Sequence, residues 1–210
     1  FLSNGPGRSD VEGYQGDGFS GIYIWGAQIE EGSFPTSYIK TEGSQVTRVA
    51  DSAEITGTNF SELYRQDEGT FYVEAASEVD EPSSSGGSFF TLLQNADNFI
   101  TLNYGFSDQN DVYFQVRQNG AEQVINGTIQ ETKIPNVFYN YSIAYSKDDV
   151  GSALDGVERS ATATNPIIPE VDKLFIGASR SGTVRKTIIK RLAYYPKRLP
   201  DATLQTMTEE

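Results

Sequence analysis

The 210 residues include neither Cys nor His and carry a formal charge of −13. That composition excludes disulfides, thiolate or imidazole metal sites, Ser-His-Asp triads and cysteine nucleophiles, and the charge argues against nucleic acid or an anionic membrane as a general partner. The length suits one full domain plus an appendage of some tens of residues.

The chain opens at Phe1 without a Met, inside sequence that reads as structured, so an upstream portion is expected; no apolar run reaches the roughly 18 residues of a membrane span and no signal-peptide pattern is present. Asn4 to Gly21, loaded with Gly, Asp and Ser, reads as a loop or hairpin tip. Gly21 to Ile29 then alternates Ile22, Ile24 and Gly26 against Tyr23, Trp25, Ala27 and Ile29, a strand with two apolar faces that needs cover on both sides. Trp25 is expected to be packed. Glu30 and Glu31 begin a polar exit and Pro35 fixes a turn, so Trp25, Glu30, Glu31 and Pro35 mark a joint between modules: 1–44, the last strands of an upstream β module with its linker, and 45–210, a complete β-sandwich.

Beyond the joint, turn-forming Gly, Asn, Asp and Ser clusters recur every 8 to 15 residues between runs rich in Val, Ile, Thr, Tyr and Phe, the pattern of an all-β antiparallel sandwich or jelly roll. Ser61 to Arg65 reads as one helical turn. Thr70 to Asp80 puts Phe71, Val73, Ala75 and Val79 on a core face and Tyr72, Glu74, Glu78 and Asp80 on a wet one. Further strands are expected at 87–94, 98–105, 111–118, 121–130, 138–146, 149–155, 157–163, 172–178 and 184–195. Asn119-Gly120 and Asp155-Gly156 signal tight type I′ hairpins, hence antiparallel neighbours. Pro200 to Glu209 is expected to form a short helix packed on the sandwich. Arg180, Arg185, Lys186, Lys190, Arg191, Lys197 and Arg198 make the last stretch basic beside an acidic body, a charge asymmetry suited to steering subunits together or to a solvated strand.

Three kinds of chemistry are candidates. Glu78, Asp80 and Glu81 sit where a sandwich glucanase would carry its E-x-D-x-x-E strand, but Ser83 stands at the last carboxylate position and Pro-Ser-Ser-Ser-Gly-Gly follows. Calcium would suit the oxygen-rich loops at Ser107 to Asp111 or at Asn95, Asp97 and Asn98, although neither is a full ligand loop; otherwise no cofactor is expected. Tyr104, Phe106, Tyr113, Tyr139 and Tyr141 lie on strands near turns, as rings that stack on sugar faces do, and equally as core rings do.

Three segments carry a resemblance. Tyr23-Ile-Trp-Gly-Ala-Gln-Ile-Glu with the following Thr36-Ser-Tyr-Ile-Lys-Thr and Thr47-Arg-Val-Ala-Asp resembles a junction of bacteriophage structural proteins, in which a carbohydrate-binding-module-like jelly roll ends and a linker begins. Ile55 to Glu74 resembles the opening of a laminin-G or concanavalin-like sandwich, and Leu174 to Ala178 with Ile189 to Gln205 its closing strands and C-terminal helix. Lys40 departs from the usual linker Pro, and Pro200 from the usual Ser cap, leaving Asp201 as the expected substitute. The resemblance implies a virion protein on the tail or head surface: a tail fibre or related appendage presenting a glycan- or receptor-binding sandwich for host attachment, as a homotrimer among other virion proteins. A capsid decoration protein with an architectural role is the alternative, and a glycan-cleaving enzyme the third. No catalytic motif comes with the resemblance.

Overall fold

The structure, a computed structural model, describes residues 18–19, 21, 23–30, 37–47, 52–77, 86–105, 111–130, 134, 136–159, 165–185 and 187–209. The chain divides into two units, Phe1–Val49 and Ala50–Glu210.

In the first unit the expected strand over Gly21 to Ile29 is absent: residues 23–30 and 37–47 form no strand. Gly26 has φ +68°, outside the β region, and so breaks the alternation at its midpoint. Trp25, expected to be packed, is 83% exposed, and touches the Tyr38 ring edge-on at 5.9 Å. Gln28 ties the unit together by accepting from the Ile39 amide at 2.8 Å. Glu30 is exposed; Glu31 and Pro35 lie outside the described residues.

The second unit runs β1 (Ala53–Thr56), α1 (Gly57–Leu63), β2 (Glu68–Ser77), β3 (Gly87–Asn95), β4 (Asn98–Tyr104), β5 (Val112–Gln118), β6 (Ala121–Gln130), β7 (Tyr139–Ser146), β8 (Asp149–Leu154), β9 (Val157–Arg159), β10 (Lys173–Ile176), β11 (Thr187–Tyr195) and α2 (Asp201–Thr208). Two antiparallel sheets form the sandwich, one ordered β1-β10-β3-β4-β5-β6 and the other β11-β2-β7-β8-β9. Both expected tight turns occur. Asn119 and Gly120 have φ +49° and +77° between β5 and β6, and Asp155 and Gly156 have +44° and +78° between β8 and β9, the double positive φ of a type I′ turn.

Between the sheets, Phe71, Val73 and Ala75 of β2 with Tyr141, Ile143 and Tyr145 of β7 meet Phe90, Leu92, Ile100, Leu102, Phe114 and Val116 of the six-stranded sheet. Phe71 stacks on Phe90 at 4.6 Å. A register shift between Ser88 and Phe90 leaves Phe89 in the core as well, against Tyr104 at 4.8 Å. Full burial of each such side chain is worth about 1.5–3 kcal/mol.

The far face of β2 is not wet at Tyr72 as expected, because the Arg191 guanidinium lies 5.2 Å over its ring and its hydroxyl donates to Asn140 Oδ1 at 2.8 Å, while α2 packs on β7 and β8 of the same sheet. Leu204 packs on Ala144 and Ala153, and Ser142 donates from its hydroxyl to the Leu204 carbonyl at 3.1 Å. Tyr72 is 5% exposed there. A Cβ on Gly151 would sit 2.6 Å from Asp201 Oδ1 and 2.7 Å from Arg198 Nη2, so a larger residue there would push that ion pair aside. Asp201 does not cap the helix. Its carboxylate accepts from Arg198 Nη2 at 2.7 Å, while the Pro200 carbonyl takes the first amides. The other helix, α1, starts four residues earlier than Ser61 because Phe60 is its buried anchor, stacked on Tyr64 at 4.9 Å.

Candidate functional site

The outer face of the six-stranded sheet is built by simple alternation. In β4, Ile100, Leu102 and Tyr104 point into the core, which turns Phe99, Thr101 and Asn103 outward. In β5, Val112, Phe114 and Val116 point inward and Tyr113, Gln115 and Arg117 outward. Antiparallel register aligns these rows, with Thr101 opposite Thr91 and Gln115, and Asn103 opposite Ser88 and Tyr113. Together with Gly86, Gly87, Glu122 of β6 and the Ser179–Thr183 turn, they line a groove of about 370 Å³.

The floor of the groove is one connected hydrogen-bond network. Gln115 Nε2 donates to both Glu122 oxygens at 2.9 Å, and Gln115 Oε1 accepts from Asn103 Nδ2 at 3.4 Å. Asn103 Oδ1 accepts from Ser88 Oγ at 2.7 Å and Thr101 Oγ1 at 2.9 Å. Thr101 is in turn within 3.0 Å of Thr91 Oγ1. Ser88, Thr91 and Thr101 are buried at 1%, 0% and 3%, so this floor is fixed by the sheet beneath it.

Charge enters from the walls. Arg117 Nη1 lies 3.7 Å from Glu122 Oε1, and the Arg180 guanidinium covers the Phe99 ring at 5.1 Å from its centre. Tyr113 is half-buried in the wall; burial, then the nearby Asp111 carboxylate, push its hydroxyl above the ordinary phenol range, while Arg180 pulls the other way. Burial also raises the Asp111 carboxyl. The wall turn is closed by hydroxyl contacts of 3.0 Å from Ser179 to Ser181 and from Ser181 to Thr183.

Of the five aromatic candidates, Tyr113 alone lines this groove among the described residues. Tyr104 and Tyr141 are core rings, each 1% exposed, and so present no face to a ligand. Tyr139 belongs to the other sheet, packed against the core with its hydroxyl accepting from the Ile134 amide at 3.3 Å. Phe106 lies outside the described residues, as do Glu78, Asp80, Glu81 and the Ser107 to Asn110 part of the calcium loop. In the other loop, Asn95 Oδ1 accepts from the Asp97 amide and Asn98 Nδ2, closing the turn with the oxygen a cation would need. No group of acidic residues with metal-site geometry occurs among the described residues. The polar groove residues, Ser88, Thr101, Asn103, Gln115, Arg117, Glu122 and Arg180, are not among the residues expected from the rings; the signal that marks most of them is polar side chains at alternate positions on adjacent strands whose other positions are apolar.

No protein-family model and no curated protein matches the chain. Among solved structures it is similar to the NanB sialidase from Streptococcus pneumoniae, with a TM-score of 0.56 and 14% identity over 73% of this chain and 26% of that one. The chain thus spans about a quarter of the sialidase's length. It is also similar to the CBM40 of the Ruminococcus gnavus IT-sialidase bound to alpha2,3 sialyllactose, with a TM-score of 0.53 and 16% identity over 68% of this chain and 83% of that one. The likeness is one of fold: this chain carries an antiparallel jelly-roll sandwich of the kind seen in that carbohydrate-binding module.

Proposed function

We propose that the sandwich is a glycan-binding module and that its ligand lies in the groove on the six-stranded sheet. The observation that carries this reading is the groove's construction, a pre-formed floor of amide and hydroxyl groups flanked by Tyr113 and by Arg180 over Phe99. Sugar hydroxyls need such convergent polar partners, and sugar C–H faces need a ring edge or face. The shared fold with a module bound to a sialylated sugar supports the same reading.

Binding without cleavage is the better account of this groove. Glycoside hydrolysis ordinarily uses two carboxyl groups about 5–10 Å apart, and Glu122 is the one carboxylate among the described lining residues. The three segments that resemble phage structural proteins support placing the module on a virion surface, in a tail fibre or related appendage. Trimers there would compensate for weak single-site affinity.

A glycan array probed with the full chain tests the proposal. Wild-type protein is expected to bind a defined glycan class, and Gln115→Ala, which interrupts the floor at its centre, to lose at least about tenfold in affinity with its melting temperature within about 3 °C. Binding that survives this substitution unchanged would place the ligand elsewhere, and new reducing ends released from a bound glycan would restore the enzyme reading.

A further inference from the structure

The groove's hydrogen bonds have a direction, and Glu122 sets it. A carboxylate accepts and cannot donate. Because Gln115 Nε2 faces both Glu122 oxygens at 2.9 Å, the Gln115 amide is held with its carbonyl toward Asn103. That carbonyl claims Asn103 Nδ2, so Asn103 Oδ1 faces Ser88 and Thr101 and accepts from the Ser88 hydroxyl, sharing the single Thr101 proton with the Phe90 carbonyl. The two amide carbonyls of the floor are therefore occupied from within, and the Glu122 carboxylate is faced by Gln115 and Arg117. What remains for a ligand is chiefly donors: the second N–H of Asn103 Nδ2 and the guanidinium groups of the walls.

Two further observations point the same way. Arg117 Nε is buried and, among the described residues, has no acceptor. Arg180 is exposed on its turn and, among the described residues, pairs with no carboxylate, its contact being the Phe99 ring. Arg117 and Glu122 offset each other at 3.7 Å, which leaves Arg180 as the uncompensated charge of the described lining. A site with surplus donors and one spare cation is poorly matched to a neutral polyol, whose hydroxyls both give and take. It is matched to a group that only accepts and carries a negative charge, and a guanidinium meets a carboxylate through two parallel hydrogen bonds.

We propose that the groove selects a sugar bearing a carboxylate, held by Arg180, and that Glu122 is the positioning residue that keeps the floor's donors turned toward it. The inference rests on the groove being the glycan site.

The test is an array of acidic oligosaccharides, hexuronates and sialylated sugars, each printed beside its own methyl ester and probed with the full chain. The ester keeps every hydroxyl and the C=O but loses the charge. The expected result is at least about tenfold stronger binding of the acid than of its ester, the range of a charge-assisted hydrogen-bond pair. Arg180→Gln should bring the acid down to the ester's level. Glu122→Gln, free to donate as well as accept, should shrink the acid-to-ester ratio at least about threefold with the melting temperature within about 3 °C, whereas a residue that merely supported the fold would lower both signals together. Equal binding of acids and esters overturns the carboxylate while leaving the groove as a glycan site. A ratio that survives Arg180→Gln also overturns it, and absence of binding to any spot overturns both readings.

Discussion

Thr101 shows how a single side chain joins fold and site. It is 3% exposed, and its hydroxyl reaches the Phe90 carbonyl at 3.0 Å, Thr91 Oγ1 at 3.0 Å and Asn103 Oδ1 at 2.9 Å. Thr101→Val keeps the shape and the β preference but removes the one proton that this hydroxyl shares among them, leaving a buried acceptor without a donor. It is expected to cost about 1–3 kcal/mol of stability, read by urea denaturation, and to weaken glycan binding through the freed Asn103 amide. An unchanged denaturation midpoint would mean that water replaces the hydroxyl. Residue identity was only half legible in the sequence: the type of each ring was plain, but Tyr104 and Tyr113 differ in fate by strand parity alone. Position 104 falls in phase with Ile100 and Leu102 and is core; position 113 falls out of phase with Val112 and Phe114 and is groove.

At the scale of elements, the strands other than β1 (Ala53–Thr56), which was not expected, and the hairpin turns followed from local chemistry, since alternation and the Asn-Gly and Asp-Gly turns act within a few residues. Packing between distant elements did not. The small side chains of Ala144, Gly151 and Ala153 are scattered over β7 and β8, and only tertiary structure shows that they clear a floor for α2. Tyr72 is likewise buried on a face that alternation alone reads as wet, under Arg191 of the neighbouring strand and against Asn140. Leu204→Ala is expected to cost about 2–5 kcal/mol, because the 1%-exposed Leu204 is the large buried side chain of that cluster, with only the partly buried Leu199 and Met207 packed beside it. The strand expected at Gly21 to Ile29 failed for a reason of the opposite kind: the alternation was present, but Gly26 leaves the β region and no ladder partner occurs among the described residues of that unit.

For the whole molecule, burial of tyrosine sets an alkaline limit. Burial is the leading cause that holds the hydroxyls of Tyr64, Tyr104, Tyr113, Tyr141 and Tyr145 above the ordinary phenol value of about 10. A group that titrates higher in the folded than in the unfolded chain contributes stability that is complete below the unfolded value and lost as pH rises past it. Urea midpoints are therefore expected to be flat with respect to these groups between about pH 7 and 9 and to fall steeply above about pH 10, with phenolate absorbance appearing together with unfolding. Phenolate that appears in full before unfolding would contradict the buried positions. The central claim, that the six-stranded sheet carries the ligand, is tested most directly by amide chemical shifts during titration with a glycan selected on the array. The account predicts perturbations at Gly86 to Ser88, Phe99 to Asn103, Tyr113 to Arg117, Glu122 and Ser179 to Thr183. Perturbations gathered instead around Tyr72, Arg191 and Met207, on the sheet that carries α2, would contradict it.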